Sequence, residues 1–257
     1  MSDQYALTPR VIIVRHGETD WAKDGRFTGI TDRELTEKGE AQISSASATL
    51  VGDGKVIDMR RLRQIYVSPR KRAVRTAELL LPLGFKFDSE EVVFTEDIAE
   101  WNYGHYEGLK DMEIRQLRKE KGLDNEREWD IWTDGCQATD GKSEAGESPQ
   151  QITERLDRLI LRIKEAQKPC MCDETPADVL VVAHGLILRA FAKRWIGWPL
   201  DRDLPMEMQP GGVAVLRYVL TKPKSHCRPP ICHADLHETS YKHNNAHKPA
   251  LNLGLAL

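Results

Sequence analysis

The sequence predicts a three-layer α/β sandwich: a mostly parallel central sheet with helices on both faces, in a single domain spanning 1–257. Three observations predict it. Residues 11–14 and 178–183 are short, β-branched apolar runs of strand length, the pattern of strands buried within an α/β sheet. Each leads directly into groups capable of chemistry, Arg15-His16-Gly17 and His184-Gly185, and ligands of such sheets sit beyond the carboxyl ends of the strands. Two further candidate strands, 64–67 and 92–94, also run toward charged groups, Arg72 and Glu100.

Each element has its own signal. The first strand is entered by Pro9. Thr36 reads as a helix cap, with the helix continuing to about Leu50, where Gly52 and Gly54 end it. The second strand turns at Ser68-Pro69 into a helix from near Lys71 through Leu81, stopped by Pro82 and Gly84. Arg70, Lys71, Arg72 and Arg75 crowd its amino end, where cations oppose the helix dipole and a bound phosphate would offset them. The third strand, 92–94, leads through Glu96-Asp97 to Glu100. Asp111 opens a helix ending at Gly122, and 123–147 is a surface excursion with Trp129 and Trp132 near its start. Ser148-Pro149-Gln150-Gln151 combines a cap, a first-turn proline and a glutamine three residues on. The helix behind it turns Ile152, Leu156, Leu159, Ile160 and Ile163 inward. After 178–183 comes an apolar helix ending near Trp195, then a last strand at 211–216. Residues 221–240 form an insertion before the C-terminal segment.

Arg15, His16, Arg72, Glu100 and His184 therefore converge on one end of the sheet. A guanidinium fork suits phosphate oxygens, and an imidazole can act as nucleophile, base or metal ligand. A net charge of −3 argues against a nucleic-acid partner. No apolar stretch reaches the roughly 20 residues of a membrane span, and the amino terminus has no secretory pattern. Five cysteines fit a reducing compartment, so the expected location is cytoplasmic. Cys227, Cys232, His233 and His237 invite a zinc reading, but their spacing fits structural zinc poorly, and a surface insertion is preferred. No metal and no cofactor are expected.

The ordered set of motifs resembles the histidine phosphatase (phosphoglycerate mutase-like) superfamily. The blocks are Arg15-His16-Gly17-Glu18-Thr19 with Trp21, Phe27-Thr28-Gly29, Leu35-Thr36-Glu37-Lys38-Gly39, Ser68-Pro69-Arg70-Lys71-Arg72, Glu100-Trp101-Asn102-Tyr103-Gly104 and Ala183-His184-Gly185. Within it the likeness is to the sedoheptulose-bisphosphatase group, through Leu7-Thr8-Pro9-Arg10, Ile131-Trp132-Thr133-Asp134-Gly135-Cys136 and the tail at His243-Asn244. The resemblance implies a metal-independent phosphatase that hydrolyses a small sugar bisphosphate, of the sedoheptulose-1,7-bisphosphate kind, through a phosphohistidine. His16 is then the nucleophile, Glu100 the proton donor, and Arg15, Arg72 and His184 hold the phosphate oxygens. Gly17, Phe27, Thr28, Trp101, Asn102 and Tyr103 would line the substrate site, with Arg189 and His243 at its far end. Ala22 stands where the mutase branch carries asparagine, and Phe27 where the sugar bisphosphatases suggest tyrosine. A broader phosphatase, a fructose-2,6-bisphosphate phosphatase, a phosphate-binding scaffold and a homo-oligomer stay open.

Overall fold

The computed structural model describes residues 8–136, 145–171, 175–220 and 247–252. Its sheet has six strands: β1 (Arg10–Arg15), β2 (Leu62–Val67), β3 (Val92–Phe94), β4 (Asp178–Ala183), β5 (Val213–Leu220) and β6 (His247–Asn252), in the order β3-β2-β4-β1-β5-β6. The pairs β3/β2, β2/β4 and β4/β1 are parallel, while β5 runs antiparallel to both β1 and β6. The expected three layers are present. Val11, Ile13, Val179 and Val181 face a core shared with α6 (Pro149–Gln167) and α7 (Gly185–Trp195). Ile12, Val14, Leu180 and Val182 face another shared with α2 (Glu37–Leu50) and α3 (Lys71–Leu80). Both faces of β1 and β4 are covered, which is why these strands are continuously apolar rather than alternating.

Local signals set the boundaries. Thr36 caps α2 by accepting from the Gly39 N–H at 3.0 Å, and Ser148 with Gln151 forms a capping box on α6. The remaining helices are α1 (Asp20–Asp24), α4 (Asp111–Glu120) and α5 (Ile131–Asp134), the last within the 123–147 excursion. Among the described residues no helix is long and apolar enough to cross a membrane.

The basic amino end of α3 is not left for a phosphate. The Lys71 N–H donates to Asp32 Oδ1 at 2.8 Å, Arg70 pairs with Glu96 at 3.0 Å, and Arg75 pairs with Glu40 at 2.7 Å. Carboxylates from distant segments neutralise this turn, and only Arg72 of the four turns inward to full burial. Lacking these long-range partners, the local sequence overstated the anion site.

At the opposite end of the sheet, Asp178 accepts from the Arg10 backbone N–H at 2.9 Å, from Arg10 Nε at 3.0 Å and Nη2 at 2.6 Å, and from Arg61 Nε at 3.1 Å. This clamp ties the starts of β1 and β4 and lies out of solvent. Arg10→Ala leaves a buried carboxylate without its principal partner, so the expected loss of stability is about 3–5 kcal/mol. Urea unfolding followed by circular dichroism measures it, and a loss below about 1 kcal/mol would contradict the role given to the clamp.

Candidate active site

Sheet register builds the site. Arg15 stands opposite Ala183 across β1 and β4, so the residues that follow, His16 and His184, emerge side by side with ring centroids 5.1 Å apart. Val67 pairs with Val182 in the next strand, which brings Ser68 to the same edge. His16 Nδ1 lies 2.7 Å from the Gly17 carbonyl, an acceptor, so Nδ1 carries the hydrogen and Nε2 keeps its lone pair. Burial, then the charges of Arg72 and Arg15, hold its pKa well below the ordinary histidine value. The imidazole is neutral at pH 7, with one nitrogen ready to attack. Gly17 leaves no room for a side chain, because a Cβ there would come within 2.7 Å of the Gly39 carbonyl oxygen in α2.

His184 and Arg72 are fully buried behind His16. Arg72 Nε donates to His184 Nδ1 at 3.0 Å, which leaves Nε2 as the protonated ring nitrogen, donating to Ser68 Oγ at 2.6 Å. Burial and the Arg72 charge push the His184 pKa well down. Arg72 also donates from Nη1 to the Thr31 carbonyl at 3.0 Å, and from Nη2 to the carbonyls of Thr28 at 2.9 Å and Gly29 at 3.0 Å. It thereby fixes the 28–31 loop. For His184 to grip a phosphate oxygen, its Nε2–H has to leave Ser68.

Glu100 is held at the amino end of α7. Its Oε1 accepts from the N–H groups of Trp101 at 2.9 Å and Ile187 at 3.0 Å, and Oε2 from the Leu186 N–H at 3.2 Å. Burial raises its pKa against the opposing pull of the Trp101 N–H, Arg72, the Leu186 N–H and Arg15. Oε2, with one long bond, is the oxygen left able to carry a proton. Arg155 of α6 holds this segment from behind, donating to the Ala99 carbonyl at 2.8 Å and to Glu147 at 2.8 and 3.0 Å.

His16 and Glu100 border a cleft of about 360 Å³, while Arg72 and His184 lie behind its wall. Arg15, His16, Glu100, Phe27, Thr28, Tyr103 and Arg189 belong to its wall, as do Arg26 and Glu207. Phe27 packs edge-on against Tyr103 at 4.9 Å. Arg15 donates from Nη1 to the Met208 carbonyl, and its guanidinium lies against Gly185, where a Cβ would sit 3.0 Å from Cζ. Arg15 Nε is buried with no hydrogen-bond acceptor among the described residues, and the same holds for Arg189 Nε. Trp101 and Asn102 stand apart from the wall: the Trp101 Nε1–H donates to the Glu147 carbonyl at 2.9 Å and the Asn102 N–H to the Glu147 carboxylate at 2.9 Å. His243 and the Cys/His set of 221–240 lie outside the described residues. Among the described residues, no group of three or more His, Cys, Asp or Glu side chains is disposed to hold a metal ion.

Several residues that shape the site carried no functional assignment in the sequence. Ser68 occurs in a motif but showed no role until the register placed it against His184. Thr76, which accepts from the Gly17 N–H at 3.1 Å, and Arg155 look in sequence like ordinary helix positions.

Comparison with known proteins agrees with this geometry. Residues 11–227 match the family model described as "Histidine phosphatase superfamily (branch 1)". The chain is 37% identical to sedoheptulose 1,7-bisphosphatase of Saccharomyces cerevisiae, over 96% of this chain and 93% of that protein. It is 34% identical to an acid phosphatase of Mycobacterium tuberculosis, over 80% and 85% of the two chains. A 2,3-bisphosphoglycerate-dependent phosphoglycerate mutase of Caulobacter vibrioides is 27% identical over 81% and 89%. A solved structure of an open reading frame product from Mycobacterium tuberculosis superposes with a TM-score of 0.63 at 29% identity, covering 96% of this chain and 97% of that one.

Proposed function

The chain belongs to the histidine phosphatase superfamily and is a phosphoric monoester hydrolase; we propose that its substrate is a bisphosphorylated sugar of the sedoheptulose 1,7-bisphosphate kind. The observation that carries this reading is the pair of orphaned guanidinium donors, Arg15 Nε and Arg189 Nε, in the wall of one cleft. A buried donor without an acceptor costs about 1–3 kcal/mol, and a guanidinium whose N–H donors the protein leaves unused is suited to phosphate oxygens. Arg15 adjoins His16 and serves the phosphate that reacts. Arg189, on α7, serves the one that stays. The similarity to the yeast sedoheptulose bisphosphatase supports the sugar assignment.

In the first step His16 Nε2 donates its lone pair to phosphorus as the bond to the sugar oxygen breaks, and Glu100 gives its proton to that oxygen. The imidazole becomes cationic, and the Gly17 carbonyl accepting from Nδ1–H stabilises it. Arg15, with Arg72 behind it, offsets the charge on the equatorial oxygens. In the second step water attacks phosphorus, Glu100 takes its proton, the N–P bond breaks, and neutral His16 is restored. A reducing compartment such as the cytoplasm suits Cys136, a buried thiol outside any disulfide.

Phosphate release across sugar mono- and bisphosphates, with excess chelator present, tests this reading. We expect a bisphosphate to be preferred and activity to persist in chelator. Arg189→Ala should lower kcat/KM for the bisphosphate by about tenfold to a hundredfold, as for a lost charge-assisted contact, and for monophosphates far less. A wild-type preference for monophosphates, or chelator-sensitive activity restored by a divalent ion, would contradict it.

A further inference from the structure

The 123–147 excursion reaches back to the cleft through one side chain. Trp132, on α5, is partly buried between the edge of the Trp101 ring, with centroids 5.9 Å apart, and two cations of α7. Arg189 Cζ lies 5.3 Å and Lys193 Nζ 3.8 Å from the indole centroid. Arg189 and Lys193 are like charges one helical turn apart, a pairing that disfavours a helix. The Lys193 ammonium is anchored to the Leu200 carbonyl at 2.6 Å, whereas Arg189 has no ion pair among the described residues. The indole face is therefore what steers the guanidinium, and its attraction for a cation grows when both are shielded from water.

We propose that Trp132 is a positioning residue for substrate selectivity: it holds the Arg189 guanidinium in the cleft wall, aimed at the second phosphate of a bisphosphorylated substrate. This rests on the function proposed above. A carboxylate in place of the indole would also orient Arg189, but it would neutralise the charge that the phosphate needs. An aromatic face orients the cation and leaves its N–H donors free.

The test compares wild type, Trp132→Leu and Trp132→Phe on sedoheptulose 1,7-bisphosphate and on the corresponding monophosphate. Leucine keeps apolar bulk without the ring quadrupole. Trp132→Leu should lower kcat/KM for the bisphosphate by about threefold to thirtyfold, the loss falling on KM, with a much smaller change on the monophosphate. Phenylalanine, a weaker cation partner than tryptophan, should restore part of the loss and fall between the two. In an Arg189→Ala background Trp132→Leu should add little, because the group it steers is gone. Equal losses on both substrates, unchanged KM for the bisphosphate, or additive losses in the double variant would overturn the proposal and leave Trp132 a packing residue. If Trp132→Leu does not fold, Trp132→Phe decides by the same KM-against-kcat criterion. Failure of the underlying reading shows differently: wild type itself would then fail to prefer the bisphosphate.

Discussion

His16→Ala is expected to lower kcat/KM by several orders of magnitude while the protein unfolds as cooperatively as wild type. The nitrogen that attacks phosphorus disappears, and water alone must displace the sugar oxygen without a covalent intermediate. Arg15, Arg72 and Glu100 stay in place, so residual turnover reports what the pocket contributes without its nucleophile. The fold should tolerate the change because the backbone bonds at this position, from the His16 N–H to the Ala183 carbonyl at 2.9 Å and from the Gly211 N–H to the His16 carbonyl at 3.0 Å, do not involve the ring. Steady-state kinetics on the bisphosphate measures the effect. Retention of more than a tenth of wild-type activity would remove His16 from the nucleophilic role.

Glu100→Gln is expected to cost about a hundredfold to ten-thousandfold, the range of a lost general acid, and to change the shape of the pH profile. Burial raises the Glu100 pKa, so the carboxyl stays protonated above the ordinary carboxylate range, and turnover declines as pH rises through that raised value. His16 must be neutral to attack, and its lowered pKa puts the acid-side decline below the usual histidine range. Wild type should therefore give a bell whose alkaline limb belongs to Glu100 and whose acid limb belongs to His16. Glutamine keeps an oxygen for the N–H groups of Trp101 and Ile187 but has no proton to transfer, so the alkaline limb should vanish. An ester with an activated leaving group, which leaves without protonation, should be hurt less in the phosphorylation step. An unchanged alkaline limb in the variant would assign that ionisation to another group.

Much of the fold was legible because β1 and β4 are buried on both sides and announce themselves as unbroken apolar runs, and because α2 and α6 carry full capping signals. The candidate site was legible for a related reason: residues placed just beyond parallel strands converge wherever those strands neighbour one another. What the sequence concealed are contacts between distant segments. The amino end of α3 reads as a phosphate cradle, but Asp32 takes its Lys71 backbone N–H and Glu96 and Glu40 pair with Arg70 and Arg75. Arg15 takes its orientation from the carbonyl of Met208, far along the chain, and a backbone acceptor leaves no mark in residue identity. His184 looked like a direct phosphate ligand, but Ser68 and Arg72 engage both of its ring nitrogens. Trp132, in a polar stretch, gave no sign that its partner would be Arg189.

The central claim, a covalent phosphohistidine on His16, is met most directly by rapid quenching. Wild-type enzyme is mixed with radiolabelled bisphosphate, denatured at alkaline pH within the first turnovers, and digested to locate the label by mass spectrometry. The account predicts a burst of acid-labile, alkali-stable phosphate on the peptide carrying His16, greater in Glu100→Gln with an activated ester because dephosphorylation is slowed, and absent from His16→Ala. Label on any other residue, or turnover with no protein-bound phosphate in either enzyme, would contradict it.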